Sequence, residues 1–294
     1  MTIESLSAII SLKLGGSYHG ENLARCRILF ASLIAFAEPG IFHEIHVVTP
    51  PGDTETARRL AADWPSLPLR VFDEMDYLPA LRRHRSARGW HIQQLIKLAA
   101  ADRLETPFFL TLDPDVILCK PLRGEDLFVK GRALLDPYPR RANPDWWNGS
   151  ARVLGISADL SVDGMMVTPA LLSRSVCQSL FRHLEQSHRS DWDATLLRLA
   201  GWGWTEYALY HLWAESQGML NQVHAVGGAG ASRRLMCPTA VWVESQFERW
   251  NLPECFDRQA PGFFTLVQSN TRIAPARIEA RLAPYFAIGT PRQA

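Results

Sequence analysis

Two carboxylates one residue apart close the most apolar strand-like segment of the chain. In Phe108-Phe109-Leu110-Thr111-Leu112-Asp113-Pro114-Asp115-Val116 the strand-forming residues give way to Asp113 and Asp115. Hard divalent cations such as Mg²⁺ and Mn²⁺ take oxygen ligands, often one or two carboxylates together with the phosphate oxygens of a substrate. Pro114 fixes its own φ and biases Asp113 toward extended backbone, so the pair projects from a stiff turn. Asp-Pro-Asp also makes an ordinary polar turn. Its place at the end of a buried strand is what points to a cation.

Upstream lies Gly89-Trp90-His91-Ile92-Gln93-Gln94-Leu95-Ile96-Lys97-Leu98. Gln93 and Lys97, four apart, share a helix face, while Ile92, Leu95 and Ile96 supply apolar packing. A lysine offsets the charge of a diphosphate, and a glutamine, Gln93 or its neighbour Gln94, hydrogen-bonds a base, ribose or phosphate. An amphipathic helix with a solvated face explains the spacing equally well, but not the order in which helix, strand and paired aspartates follow one another. Further on, Gly203-Trp204-Thr205-Glu206-Tyr207-Ala208-Leu209-Tyr210 reads as a helix start. Thr205 suits the cap, and Glu206 in the first turn is favoured as the ionised carboxylate, the form a general base must have. First-turn glutamates are also common for electrostatic reasons alone.

Of ten tryptophans, Trp146, Trp147 and Trp204 lie in loop contexts that suit the apolar face of a ligand, whereas Trp64, Trp213 and Trp242 read as core. Gly227-Gly228-Ala229-Gly230 lacks the P-loop pattern and reads as a flexible loop, a candidate lid. His43-Glu44-Ile45-His46 lacks the spacing of a zinc protease and reads as structural.

Elements must bring these groups together. Residues 6 to 13 read as a buried strand, Glu21 to Phe36 as a helix ended by Pro39-Gly40, and Ile45 to Thr49 as a strand. Thr54 to Asp63 reads as a helix, Leu69 to Phe72 as a strand, 82 to 88 as a basic loop, Trp90 to Leu104 as a helix and Pro107 to Leu112 as a fourth strand. This alternation indicates a parallel, doubly wound sheet, in which ligands bind beyond the carboxyl ends of the strands. The second half is less regular. Ser161 to Thr168 reads as a strand, Pro169 to Ser187 and Thr205 to Glu215 as helices, and Val241 to Val243 and Phe263 to Val267 as strands, with the last 15 residues loosely held. One domain over 1–294 is expected, with about 1–118 as the nucleotide-binding half and about 119–294 as the acceptor side.

Composition removes other classes. The chain has 294 residues, 47% of them hydrophobic, and 31 basic against 30 acidic residues leave a charge of +1. Nucleic-acid binding driven by bulk charge is therefore not expected. Cys26, Cys119, Cys177, Cys237 and Cys255 form no C-x-x-C pair, as suits a reducing compartment. Ile28 to Ala37 is too short to span a membrane, and the N-terminus lacks the marks of a signal peptide. A cytoplasmic protein is expected, with peripheral membrane contact left open.

The order of blocks resembles a GT-A glycosyltransferase: a strand–helix–strand start, G-W-x-x-Q-Q-x-x-K-L, an apolar strand ending in D-P-D, and a later T-E-Y. More narrowly it is similar to bacterial glycosyltransferase-like proteins that carry these blocks, over roughly residues 6 to 270. The resemblance implies a GT-A-like, Rossmann-like α/β sandwich around a mostly parallel central sheet. It implies a metal-dependent glycosyltransferase with Mn²⁺ or Mg²⁺ and a nucleotide-diphosphate sugar donor, uridine being the base most common in such enzymes. Asp113 and Asp115 would act on the diphosphate through the metal, Asp115 binding it directly and Asp113 reaching the ribose or a metal-bound water; His224 would be the third ligand, or else a satisfied structural histidine. Glu206 would be the general base of an inverting enzyme, or orient the acceptor in a retaining one, and Asp163 would lie beneath the donor sugar. The acceptor would be a carbohydrate or lipid-linked hydroxyl in surface polysaccharide or glycolipid synthesis. Two alternatives stand beside it. One is a catalytically silent nucleotide-sugar binder. The other is a sugar-nucleotide pyrophosphorylase, disfavoured because Gly15-Gly16-Ser17-Tyr18-His19 lacks the expected arginine.

Overall fold

A computed structural model describes residues 6–15, 21–84, 89–227 and 233–288. The first half alternates as expected: β1 (Leu6–Ser11), α1 (Asn22–Phe36), β2 (Phe42–Thr49), α2 (Thr54–Ala62), β3 (Leu69–Asp73), α3 (Gly89–Arg103) and β4 (Phe108–Leu112). Strands β4, β1, β2 and β3 lie side by side in that order, and every pairing among them is parallel. Side chains on β1 alternate between two cores. Ala8 and Ile10 join the cluster that holds Leu29 and Leu33 of α1, while Ile9 joins the one that holds Leu95 and Leu98 of α3. Each such aliphatic side chain contributes about 1.5–3 kcal/mol on full burial, so helices cover both faces and the sheet is fixed in the middle.

After β3 the chain crosses over β1 to lay down β4 on its far side. The carboxyl ends of β1 and β4 therefore diverge, and the crevice between them is the topological switch point of the sheet. Beyond it, β5 (Val116–Leu118) leaves the sheet plane at the Asp113–Asp115 turn and pairs with a strand from the second half.

That second half departs from expectation in three places. The strand expected over 161 to 168 is only Asp163–Met165 (β6), and the helix expected from Pro169 begins at Arg174. Ala170–Ser173 is instead β7, antiparallel to β4 at the edge of the sheet, before α4 (Arg174–His188). Short Ala-Leu-Leu runs fit strand and buried helix alike, and here β4 offered an open edge with a matching apolar surface. Val241 to Val243 forms only a single bridge, Val241 to Val267. Then α5 (Glu206–Ser216), β8 (His224–Val226) and β9 (Phe264–Leu266) follow, β9 being the partner of β5. A closing helix, Pro275–Leu282, runs into the last 15 residues, and there Leu282 and Phe286 are buried, so this end is tied down as far as Phe286.

Among the described residues no helix is long and apolar enough to cross a membrane. The five cysteines are free and buried. The candidate lid at Gly228–Gly230, part of the basic loop at 85–88 and the stretch Gly16–His19 lie outside the described residues.

Candidate active site

The switch-point crevice holds a cavity of about 400 Å³, and Gln93, Lys97, Asp113, Asp115 and Glu206 all line it. The fold thus brings together five of the eight site residues expected from sequence. Lys97 is the hub. Its Nζ lies 2.9 Å from Asp113 Oδ1 and 3.3 Å from Glu206 Oε1, and it sits 5.3 Å from the centre of the Tyr207 ring. Burial alone would lower the Lys97 pKa. The carboxylate of Asp113, together with Tyr207 and Glu206, more than offsets this and holds the ammonium charged well above its ordinary range.

Glu206 enters from the first turn of α5, whose start is fixed three ways. Thr205 Oγ1 accepts from the Ala208 amide, Ser150 Oγ accepts from the Thr205 amide, and Gln94 Oε1 accepts from the Glu206 amide at 3.1 Å. Gln94 is therefore not a cleft residue. It is buried behind the site and ties α3 to the helix that carries Glu206. Burial raises the Glu206 pKa above the usual carboxylate value; Lys97 opposes the shift and Asp113 adds to it.

Asp115 is held by the second half of the chain. Its Oδ2 accepts from the Ser269 amide at 2.7 Å, and its carbonyl accepts from the Val267 amide. Behind it is Arg25 of α1, 2% exposed, whose guanidinium donates to the carbonyls of Val267 and Ile273. Burial pushes the Asp115 carboxyl up to about 6, and the Asp113 charge adds to this, while the Ser269 amide and Arg25 hold it back. The cluster thus has three carboxylates, Asp113, Asp115 and Glu206, against two cations, Lys97 and Arg25.

The excess negative charge suits a divalent cation. Asp113 and Asp115 would hold it, and oxygen-bearing side chains of Gln268, Ser269 and Asn270 line the same cavity. Mg²⁺ and Mn²⁺ use few protein ligands and complete their shells with water and phosphate oxygens, so two carboxylates are sufficient. Among the described residues no group of three or more His, Cys, Asp or Glu side chains is placed to share a metal.

His224 is accordingly not brought to the cleft. Fully buried on β8, its Nε2 accepts from the Tyr210 hydroxyl at 2.7 Å, since that hydroxyl already takes the Ser173 amide. Its Nδ1 donates to the Ala133 carbonyl, and burial lowers its pKa to about 4, so the ring is neutral with both nitrogens engaged. Asp163 is also apart, exposed on β6 outside the cavity lining. Of the tryptophans expected to face ligand, Trp146 lines the cavity, whereas Trp147 and Trp204 are core. Trp147 packs where a Cβ on Gly164 would be, and Trp204 donates to the Leu196 carbonyl. Trp242, expected in the core, is instead a half-buried wall of the cavity, as is the exposed Trp90. Asn22, Gln268 and Asn270 also belong to the lining, and sequence reasoning passes over all three. No motif marks them, and only the β5–β9 pairing carries residues 268 to 270 to the aspartates.

The fold is GT-A-like. It resembles the apo form of mouse xyloside xylosyltransferase 1, with a TM-score of 0.53 and 14% identity, over 92% of this chain and 99% of that one. It also resembles the galactosyltransferase LgtC in complex with donor and acceptor sugar analogs, with a TM-score of 0.50 and 12% identity, over 98% of each chain. No curated protein matches it in sequence. The profile of one family does match, over residues 3–290, and the chain belongs to that family, the family of unknown function DUF6492.

Proposed function

We propose that the protein is a metal-dependent glycosyltransferase that moves a sugar from a nucleotide-diphosphate sugar, first choice a UDP-sugar, to an acceptor hydroxyl. One observation carries this reading: Asp113, Asp115, Lys97 and Glu206 converge in a crevice at the switch point of a GT-A-like sheet. Residues up to about 118 act as the nucleotide half, and the rest close the cleft from the acceptor side.

The donor diphosphate lies against Lys97, with Gln93 and Asn22 within the same cavity to hydrogen-bond it. A divalent cation held by Asp113 and Asp115 would, when bound, stabilise the charge that develops on the leaving nucleoside diphosphate. Lys97 supplies fixed positive charge beside the same phosphates and keeps Glu206 oriented. Trp90, Trp146 and Trp242 offer apolar faces to sugar rings and exclude water. Among the described residues Glu206 is the cavity's one carboxylate outside the aspartate pair, and it takes the proton of the acceptor hydroxyl.

Glu206→Gln keeps size and hydrogen bonding but cannot accept a proton. We expect kcat to fall by about 10²–10⁴, the range for losing a general base, with donor affinity changed less than about three-fold. A kcat within ten-fold of wild type would remove Glu206 from catalysis. Because the Glu206 pKa is raised, it should add to the acid limb of the wild-type rate profile above the ordinary carboxylate range; Glu206→Gln should lose that contribution and keep the fall that Asp115 protonation sets near pH 6.

The reading as a whole is tested by thermal unfolding with UDP, GDP and common sugar nucleotides, each with and without Mn²⁺. A ligand that binds the folded state at 100 times its Kd stabilises it by about 2.7 kcal/mol, so one nucleotide should raise Tm clearly, and only with metal. No shift with any of them, in a sample that unfolds cooperatively, would refute the donor assignment. Hydrolysis of the bound sugar nucleotide without acceptor separates an enzyme from a silent binder.

A further inference from the structure

Next to the candidate donor cleft lies a second cavity, of about 550 Å³. The two share Trp242 as a common wall, and they run along one stretch of chain: Met166 lines the second cavity, Val167 and Thr168 the first. Trp242 is held in place through its backbone, whose amide donates to Gln246 Oε1 at 2.7 Å. A ring bound in one cavity is therefore adjacent to whatever occupies the other.

The charge in the second cavity is lopsided. Arg234 and Arg249 line it, and neither guanidinium has a hydrogen-bond or ion-pair partner among the described residues; Arg234 Nε is buried and unpartnered. Among the described residues its one lining carboxylate is Asp136, which feels the Arg234 charge but forms no hydrogen bond or close ion pair with it. Oδ1 accepts from the Leu235 amide at 3.1 Å and Oδ2 from the Met236 amide at 2.8 Å, which fixes the backbone that presents Arg234. A buried guanidinium N–H left without an acceptor is costly, and a planar fork of donors suits an oxyanion better than a neutral hydroxyl. Tyr138 and Trp242, both half-buried, add the aromatic faces on which a sugar ring stacks.

We propose that this second cavity is the acceptor subsite and that it selects an acidic acceptor, a saccharide whose carboxylate or phosphate is held by Arg234 and Arg249 while its ring packs on Trp242 and its hydroxyl reaches Glu206. This deepens the glycosyl-transfer reading and rests on it. The acceptor oxygen forms the new glycosidic bond, its proton goes to Glu206, and the nucleoside diphosphate leaves with the bonding pair of the old one.

The test is direct binding, which needs no turnover. Isothermal titration of the full chain, with Mn²⁺ and UDP present, would use methyl glucuronide, glucose 6-phosphate and the neutral methyl glucoside as probes. The acidic sugars should bind at least ten-fold tighter than the neutral one. Arg249→Gln, at an exposed position, should remove most of that preference, and Arg234→Gln the same or more, with the UDP-dependent Tm shift unchanged in both. Preference for the glucuronide names a uronosyl acceptor; preference for the phosphate names a phosphorylated one. Equal affinity for acidic and neutral sugars, or acidic sugars displaced by UDP, would overturn the subsite while leaving the donor assignment standing. Loss of the UDP shift in the wild type would instead undo the reading on which it rests.

Discussion

Lys97→Met should destabilise the folded chain by about 3–5 kcal/mol at pH 8, the range for deleting one partner of a buried ion pair. The side chain is 7% exposed and neutralises two carboxylates at once, Asp113 at 2.9 Å and Glu206 at 3.3 Å. Methionine fills the volume of the stem but leaves both anions without the cation that neutralises them, with Glu206 buried. Asp113 is 30% exposed and recovers part of its solvation, so the lower end of the range is expected. The sign of the pH dependence follows. Without the lysine, buried Glu206 loses the charge that opposes its upward pKa shift, so its contribution is intact at acid pH and is lost as pH rises through its raised folded value. The gap between wild type and variant, measured by urea unfolding, should therefore widen from pH 5 to pH 8. Mn²⁺ should narrow it by replacing the missing positive charge. A gap below 1 kcal/mol that does not vary with pH would mean that Lys97 is not the electrostatic hub of the site.

The same residue shows why part of the site is legible in the amino-acid sequence. Lys97, Gln93 and the two aspartates lie on consecutive elements of a regular βαβ run, where helix period and strand ends locate side chains without long-range information. Glu206 is legible because a capping threonine announces its helix. Arg25 is not. It sits inside an apolar helix, and sequence offers no way to tell a buried arginine that braces Val267, Ile273 and Asp115 from a surface one.

His224 misleads for the complementary reason. A lone histidine in a short strand carries no local mark, and its Tyr210 and Ala133 partners lie 14 and 91 residues away. Trp147 misleads because the polar stretch 143–149 reads as a loop but opens a helix, Pro144–Leu154, and the Trp147 ring packs against Gly164, seventeen residues on. Trp204 misleads because the glycine before it suggests a loop, while its ring is buried and its indole N–H donates to the Leu196 carbonyl. The second half of the chain is built from such long-range contacts, so local pattern misplaces its strands and leaves its part of the cleft unmarked.

Asp115→Asn should separate stability from function, raising the first while abolishing the second. In the wild type the Asp115 carboxyl has an ordinary value of 3.8 when unfolded and about 6 when folded, chiefly because it is buried and also because Asp113 lies beside it. A carboxyl raised in this way contributes stability that is fully present below about pH 4 and is lost as pH rises to about 6, leaving a penalty at neutral pH on the order of 2–3 kcal/mol. Asparagine carries no charge to desolvate and can still accept from the Ser269 amide. The metal-free variant should therefore be more stable than wild type at pH 8 by up to that amount, and should lack the wild-type decline between pH 4 and 7. Its rate of sugar transfer should fall by at least about 10³, because the carboxylate that would hold the cation against the diphosphate is gone. The stabilising effect of Mn²⁺ with nucleotide should vanish with it. In the wild type that effect should weaken below about pH 6, since a protonated Asp115 cannot bind metal. A variant that is less stable at pH 8 would show that Asp115 is solvated or fully paired in the native chain. A variant that is more stable yet transfers sugar at the wild-type rate would show that the strain on this carboxylate serves something other than a metal.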